Sequence, residues 1–133
     1  MYYTHKYSFE RLEVWQKARI LVKKIYKTTS DFPSEEKFGI ISQIRRAAIS
    51  VTCNLSEGSS RTSKKDQAHF TQLSFSSLME TLDLLILSKD LIFLNDKSLN
   101  ELRSIVEEIS NGLNALRNYQ LSSETNTSKR LNK

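Results

Sequence analysis

Apolar residues recur along this chain at spacings of three and four, the period of one face of an α-helix, in four stretches separated by short polar breaks. In the first, from about Glu10 to Thr29, Val14, Trp15, Ala18, Leu21, Val22, Ile25 and Tyr26 share one arc, and Lys17, Arg19, Lys23, Lys24 and Lys27 lie opposite. This predicts an amphipathic helix with a continuous basic face, on which Ile20 is an isolated apolar residue. Ser30, Asp31, Phe32 and Pro33 end it, because proline disfavours the helical conformation of the residue before it. Ser34, followed by Glu35 and Glu36, predicts the start of a second helix: the hydroxyl caps free N–H groups and the acids suit the positive end of the dipole. That helix is expected to run to about Glu57 and to stop at Gly58 in a left-handed C-terminal position. Its core arc is Ile40, Ile41, Ile44, Ala47, Ala48, Val51 and Leu55. Opposite lies a narrow polar stripe of Gln43, Arg46, Ser50, Asn54 and Glu57, bordered by Phe38, Ile49 and Cys53, so the helix is expected to have two buried flanks.

A short serine-rich loop, residues 58–62, precedes a third pattern in which Ser63 and Asp66 have the spacing of a helix cap. From Phe70 to Leu94 apolar residues occur almost all round the wheel. Phe70, Leu73, Leu84, Leu85, Leu91 and Ile92 lie on one side and Phe75, Leu78, Met79, Leu82 and Ile86 on the other. A helix of this kind is normally buried on every side. Glu80, Asp83, Lys89 and Asp90 interrupt every window long enough to cross a bilayer, which disfavours a membrane span. A bundle helix needs one apolar stripe, so the surplus side, Phe75, Leu78, Met79, Leu82 and Ile86, is assigned to an oligomer interface or a docking surface. The fourth helix is expected from Ser98, with Glu101 three residues on, to about Tyr119. It carries one stripe of Leu99, Leu102, Ile105, Val106, Ile109, Leu113 and Leu116. Short connections make the expected fold all-α, an antiparallel up-down-up-down four-helix bundle over residues 10–121. An N-terminal arm, residues 1–9, precedes the bundle, and a polar, disordered tail, residues 122–133, follows it.

Composition narrows the function. Three Gly and one Pro in 133 residues leave little turn chemistry for a sandwich or barrel. Cys53 is the lone cysteine, which excludes an internal disulfide and a cysteine zinc cluster, and on a helix interior it reads as a small packed residue. His5 and His69 have no second His or Cys at metal-ligand spacing, there is no Glu-x-x-His pair, and there is no glycine-rich phosphate loop. The chain is therefore read as not an enzyme, with no metal, no cofactor and no small-molecule substrate. Met1 to Glu10 is polar and tyrosine-rich, so the cytoplasm is the expected compartment. The net charge of +5 is unevenly spread: thirteen basic and six acidic residues precede Asp66, and four basic and eight acidic lie between Asp66 and Leu121. Such asymmetry suits a polyanion-binding surface or charge-complementary self-association.

Four segments carry a family resemblance: Phe9-Glu10-Arg11-Leu12-Glu13-Val14-Trp15-Gln16, Phe32-Pro33-Ser34-Glu35-Glu36, Gln43-Ile44-Arg45-Arg46-Ala47-Ala48-Ile49-Ser50-Val51 and Asn54-Leu55-Ser56-Glu57-Gly58. Together, and more loosely through Phe70, Ser77, Leu78 and Glu80, the chain resembles the small bacterial four helix bundle proteins encoded in intervening sequences of the 23S ribosomal RNA gene, often described as ribosomal proteins. It departs from the family pattern at Thr52, where a proline is common, at Leu55-Ser56 in place of Ile-Ala, and at Ser74-Phe75-Ser76-Ser77 in place of Ala-x-Gly-Ser. Without the proline the second helix is expected to be continuous. The resemblance implies a left-handed bundle, a ring-shaped homopentamer and no known catalysis. A related protein, the accessory variability determinant of diversity-generating retroelements, shares the bundle and pentamer, binds nucleic acid through a basic surface and works with a reverse transcriptase.

Two roles compete for the charged residues. Gln43, Arg46, Ser50, Asn54 and Glu57, with Ser77 and Glu80 on the third helix, read best as a hydrogen-bonding seam or subunit interface, in which Arg46 pairs with Glu57 or Glu80. Lys17, Arg19, Lys23, Lys24, Lys27, Arg45, Arg61, Lys64 and Lys65 are the candidates for phosphate contacts with RNA or DNA. The leading expectation is a homo-oligomer that binds nucleic acid without sequence specificity, possessing no enzymatic activity of its own. The alternative is a protein-interaction scaffold, for example one that docks a reverse transcriptase. A structural ribosomal protein fits less well, because the chain lacks long, densely basic extensions.

Overall fold

The computed structural model describes residues 5–131, with side chains described through residue 122. A 3-10 turn, Ser8–Arg11, leads into four helices: α1 (Glu13–Thr29), α2 (Ile40–Ser59), α3 (Lys64–Asp90) and α4 (Asp96–Leu131). Each helix packs against two others, α1 and α3 both lying against α2 and α4, and no strand occurs among the described residues. Contacts run in opposite directions along neighbouring helices. Arg45 of α2 meets the end of α1 while Ser59 meets Ser8, and Ser50 of α2 meets Ser77 of α3 while Gly58 meets Phe70. The core between the helices holds Leu21 and Ile25 of α1, Ile44 and Val51 of α2, Leu78 and Leu85 of α3, and Ile109 and Leu113 of α4, all but fully buried.

The helix starts differ from the sequence expectation in instructive ways. The chain turns once at Ser8–Arg11 and breaks at Leu12, whose backbone is extended, before α1 begins; the first helix therefore starts later than Glu10. This entry is fastened by Gln16 Nε2 donating to the Glu10 carbonyl at 2.7 Å and by the edge of Phe9 against Trp15. Ser34 opens only a 3-10 turn, Ser34–Glu36, and does not cap α2, which begins after Gly39 with the Glu36 carboxylate facing the Ile40 N–H. Ser63 does cap α3, its hydroxyl accepting the Asp66 N–H at 3.0 Å. The fourth helix starts two residues before Ser98, because Asn95 Oδ1 accepts the Ser98 N–H at 2.8 Å and so supplies the cap. Its backbone continues to Leu131, past the boundary drawn at residue 121. After Gly112 no glycine or proline interrupts it, and each further residue adds one backbone hydrogen bond at little cost. The first residues of the arm, 1–4, and the end of the tail, 132–133, lie outside the described residues. As expected without proline, α2 passes through Thr52 unbroken.

Two expectations about glycine and apolar surplus are corrected. Gly58 is helical and buried, with no positive φ; a Cβ there would lie 2.8 Å from Phe70 Cβ, so the residue serves close approach of α2 and α3 rather than helix termination. Leu78, assigned to an oligomer interface, is fully buried, and Phe75, Met79, Leu82 and Ile86 pack partly buried against the core. Met79 and Leu82 share a cleft with Arg103, Val106 and Glu107, which shows that this side of α3 faces α4. The second apolar side of α3 is thus used within the subunit, because a helix wedged between two neighbours must cover both flanks. Conversely, the second flank expected for α2 is exposed: Phe38 is 91% accessible, and Ile49 and Cys53 are also exposed.

The end of α3 carries one strained residue. Phe93 N–H reaches the Ser88 carbonyl and Ile92 N–H the Lys89 carbonyl, the two hydrogen bonds of a Schellman turn, and Ile92 occupies its left-handed position at φ 66°. A β-branched residue is poorly suited to that conformation. Ile92→Gly is therefore expected to raise the unfolding free energy by about 1 kcal/mol, and Gly58→Val, which overfills the α2–α3 crossing, to lower it by about 2 kcal/mol. Urea denaturation followed by circular dichroism checks both.

Candidate nucleic-acid interface

The outer side of α1 is the most cationic helix face among the described residues. Burying Ala18, Leu21 and Ile25 against α2 and α4 turns Arg19, Lys23, Lys24 and Lys27 to solvent, where all four are exposed. From Lys17 to Lys27 the row spans about 15 Å at the helical rise. Lys17 is partly buried and tied down, its Nζ lying 3.5 Å from Glu13 and 3.8 Å from Glu108 of α4. Arg19 lies over the Trp15 ring, 5.5 Å from its centroid. Among the described residues Lys23, Lys24 and Lys27 enter no ion pair. Lys27 also occupies the last turn of α1, where a cation favours the negative end of the helix dipole.

Two arginines expected at phosphates are engaged internally. Arg45 Nε donates to Thr29 Oγ1 at 2.9 Å, Nη2 donates to the Tyr26 carbonyl at 3.4 Å, and the guanidinium stacks 4.4 Å from the Tyr26 ring centroid. Thr29 is fully buried and in turn donates to the Ile25 carbonyl, so Arg45 completes a hydrogen-bond set at the end of α1. Arg61 donates to Glu57 Oε1 at 2.9 Å and lies over Phe70 at 4.7 Å. Within the subunit no ion pair of Arg46 with Glu57 or Glu80 occurs among the described residues. On a single helix Arg46 and Glu57 are about 16 Å apart, whereas Arg61 follows Glu57 by one turn. Lys64 lies 5.3 Å from the Tyr119 ring centroid and Lys65 is exposed. These three residues sit at the Ser8–Ser59 end of the bundle, and Lys24 and Lys27 border a cleft with Asp31, Asn95, Ser98 and Glu101 at the opposite end. The fold therefore does not gather the nine cations into one patch.

The polar stripe divides. Ser50 and Ser77 share a hydrogen bond at 2.9 Å, and Asn54 Nδ2 donates to the Ser50 carbonyl at 2.9 Å, which places these three residues in the seam between α2 and α3 of one subunit. Gln43, Arg46, Glu57 and Glu80 are exposed. Cys53, read as packed, is exposed. Among the described residues no group of three His, Cys, Asp or Glu side chains gathers, and no helix is long and apolar enough to cross a membrane. The sequence pattern left Lys37 unassigned and put Phe38 on a buried flank of α2, whereas both are exposed. The signal was Gly39 directly after them, which ends the preceding turn and leaves Phe38 outside the helix whose flank it was assigned to.

The architecture is that of an all-helical bundle with a row of exposed cations on its first helix. Residues 10–115 match the family described as 23S rRNA-intervening sequence protein, and the chain belongs to that family. The fold is similar to a crystal structure from Bacteroides thetaiotaomicron VPI-5482, of a protein with unknown function from the S23 ribosomal protein family. The TM-score is 0.57 and the identity 19%, over 84% of this chain and 97% of that one. No curated protein matches.

If Arg45 is a brace, Arg45→Met removes charged hydrogen bonds and a ring contact and is expected to lower stability by about 1–2 kcal/mol. Lys24→Met is expected to change it by less than about 0.5 kcal/mol. Paired urea melts of the two variants check the difference.

Proposed function

We propose that this protein is a non-enzymatic, cytoplasmic homo-oligomer that binds RNA or DNA without sequence specificity through the outer face of α1. The observation that carries the reading is the row Arg19, Lys23, Lys24 and Lys27, exposed side by side, with the three lysines free of ion pairs among the described residues. Lysines held on a rigid helix and outside any ion pair among the described residues are available to phosphates, and the energy comes from counterion release rather than base reading. Each subunit offers few contacts. Repetition in an assembly, a pentamer on the family resemblance, multiplies them. The family's description, which names the intervening sequence of 23S rRNA, supports a reading in which the ligand is RNA or DNA.

The scaffold reading has its own support in Leu91 and Ile92, which the α3–α4 turn presents to solvent, Ile92 being 90% exposed. A partner docked there stays bound after nuclease treatment.

The nucleic-acid reading is tested by mobility shift with labelled RNA and DNA. Lys23→Glu, Lys24→Glu and Lys27→Glu combined are expected to abolish binding at about 50 mM salt while leaving the sedimentation coefficient unchanged. Wild-type affinity is expected to fall at least about tenfold by 200 mM. Salt-independent binding, or no binding at the lower salt, overturns the reading.

A further inference from the structure

Beside the α1 row a second cationic feature lies between α1 and the start of α2. Tyr26, Lys37, Phe38, Arg45, Arg46 and Ile49 line a cleft of ≈ 420 Å³, with Ile41 and Ser42 completing its wall. Three of these side chains are cationic and none is a carboxylate, in a chain that carries fifteen acidic residues. Two are aromatic. Phe38 is 91% exposed, the Lys37 ammonium lies 5.5 Å from its ring centroid, and Tyr26 is held in place by the stacked Arg45 guanidinium. A phenylalanine so exposed contributes nothing to the core of one subunit, and its position next to Gly39 in the connecting turn keeps it there. Tyr26 follows Lys23 by three residues, one helical turn, so the cleft continues the α1 row instead of forming a separate patch.

We infer that this cleft is a binding groove for single-stranded nucleic acid, in which an unpaired base stacks on Phe38 while Lys37 and Arg46 take the flanking phosphates. Arg45 acts as a positioning residue that fixes Tyr26 as the groove's far wall. The inference rests on the nucleic-acid reading of α1 and specifies the form of ligand. A cation row alone tracks the backbone of single or double strands equally, whereas an exposed aromatic ring among cations has an affinity for bases only where they are unpaired. Like charge on three lining residues disfavours the same cleft facing its own copy across a two-fold axis, and suits a polyanion.

The test is fluorescence anisotropy at about 50 mM salt with a labelled oligothymidylate of about 20 nucleotides, an abasic strand of equal length and charge, and a duplex of the same length. The full-length protein is expected to bind the base-bearing single strand more tightly than either other probe. Phe38→Ala is expected to weaken that binding by about tenfold and to leave the abasic and duplex affinities unchanged, with Phe38→Trp restoring it. Arg46→Glu is expected to weaken all three. Because Phe38 is exposed, its replacement leaves the fold intact, which a thermal melt verifies.

If the wild type binds none of the probes, the nucleic-acid reading of α1 fails and this inference fails with it. If it binds all three equally and Phe38→Ala changes nothing, the α1 reading stands and the groove is overturned. If Phe38→Ala instead dissociates the oligomer, as sedimentation velocity reads, without altering the preference for bases, the cleft is a subunit interface and the inference is likewise overturned.

Discussion

Where α2 and α3 cross, the Ser74 hydroxyl donates to the Val51 carbonyl at 2.8 Å, Ser50 and Ser77 hydrogen-bond to each other, and Gly58 leaves room for the Phe70 Cβ. Small side chains at these levels bring the two backbones close, and this is the most extensive helix pair in the bundle. Ser74, Thr81 and Ser88 recur at heptad spacing on α3 and are fully buried, each hydroxyl donating to a backbone carbonyl. They are polar residues that pack as small ones, because their hydrogen bonds are satisfied without water or a partner side chain. Gly112 does the same on the other side, where a Cβ would meet Val14 Cγ2 at 2.9 Å and hold α4 away from α1.

Close approach on one flank of α3 leaves its larger residues for the other. Phe75, Met79, Leu82 and Ile86 fill the space toward α4, so the helix is covered on both sides and the outer, solvent-facing side keeps Glu80 and Asp83. Thirteen of the twenty bases precede Asp66 while acids outnumber bases from there to Leu121, and among the described residues Lys17 with Glu108 is the ion pair that joins α1 to α4. Charge segregation in the chain thus becomes charge segregation on the surface. The α1 row and the Phe38 cleft lie next to each other because Arg45 fastens the start of α2 to the end of α1.

Much of this was legible from residue spacing. The arcs of α1 and α4, the Ser63 cap, the unbroken passage through Thr52 and the five cations opposite the Leu21–Ile25 stripe all follow from local periodicity and capping chemistry. The helix starts at Ile40 and Asp96 were displaced because Glu36 and Asn95, not the nearest serines, reach the free N–H groups. Arg45 and Arg61 look like any other basic residue in a one-dimensional reading. Only their neighbours, Thr29 and Tyr26 for one and Glu57 and Phe70 for the other, withdraw them from the candidate interface.

By itself the sequence determined that four segments, three amphipathic and one apolar on two sides, form helices and that the cations of the first lie on its outer side, because helical period and side-chain polarity are local properties. Which apolar residues are spent inside the subunit was decided by tertiary structure alone. A wheel shows that α3 is apolar on two sides and α2 on part of a second, but burial depends on how many neighbours each helix has. In this bundle α3 lies between two partners, which hides Leu78, and α2 turns its remaining flank outward, which exposes Phe38, Ile49 and Cys53.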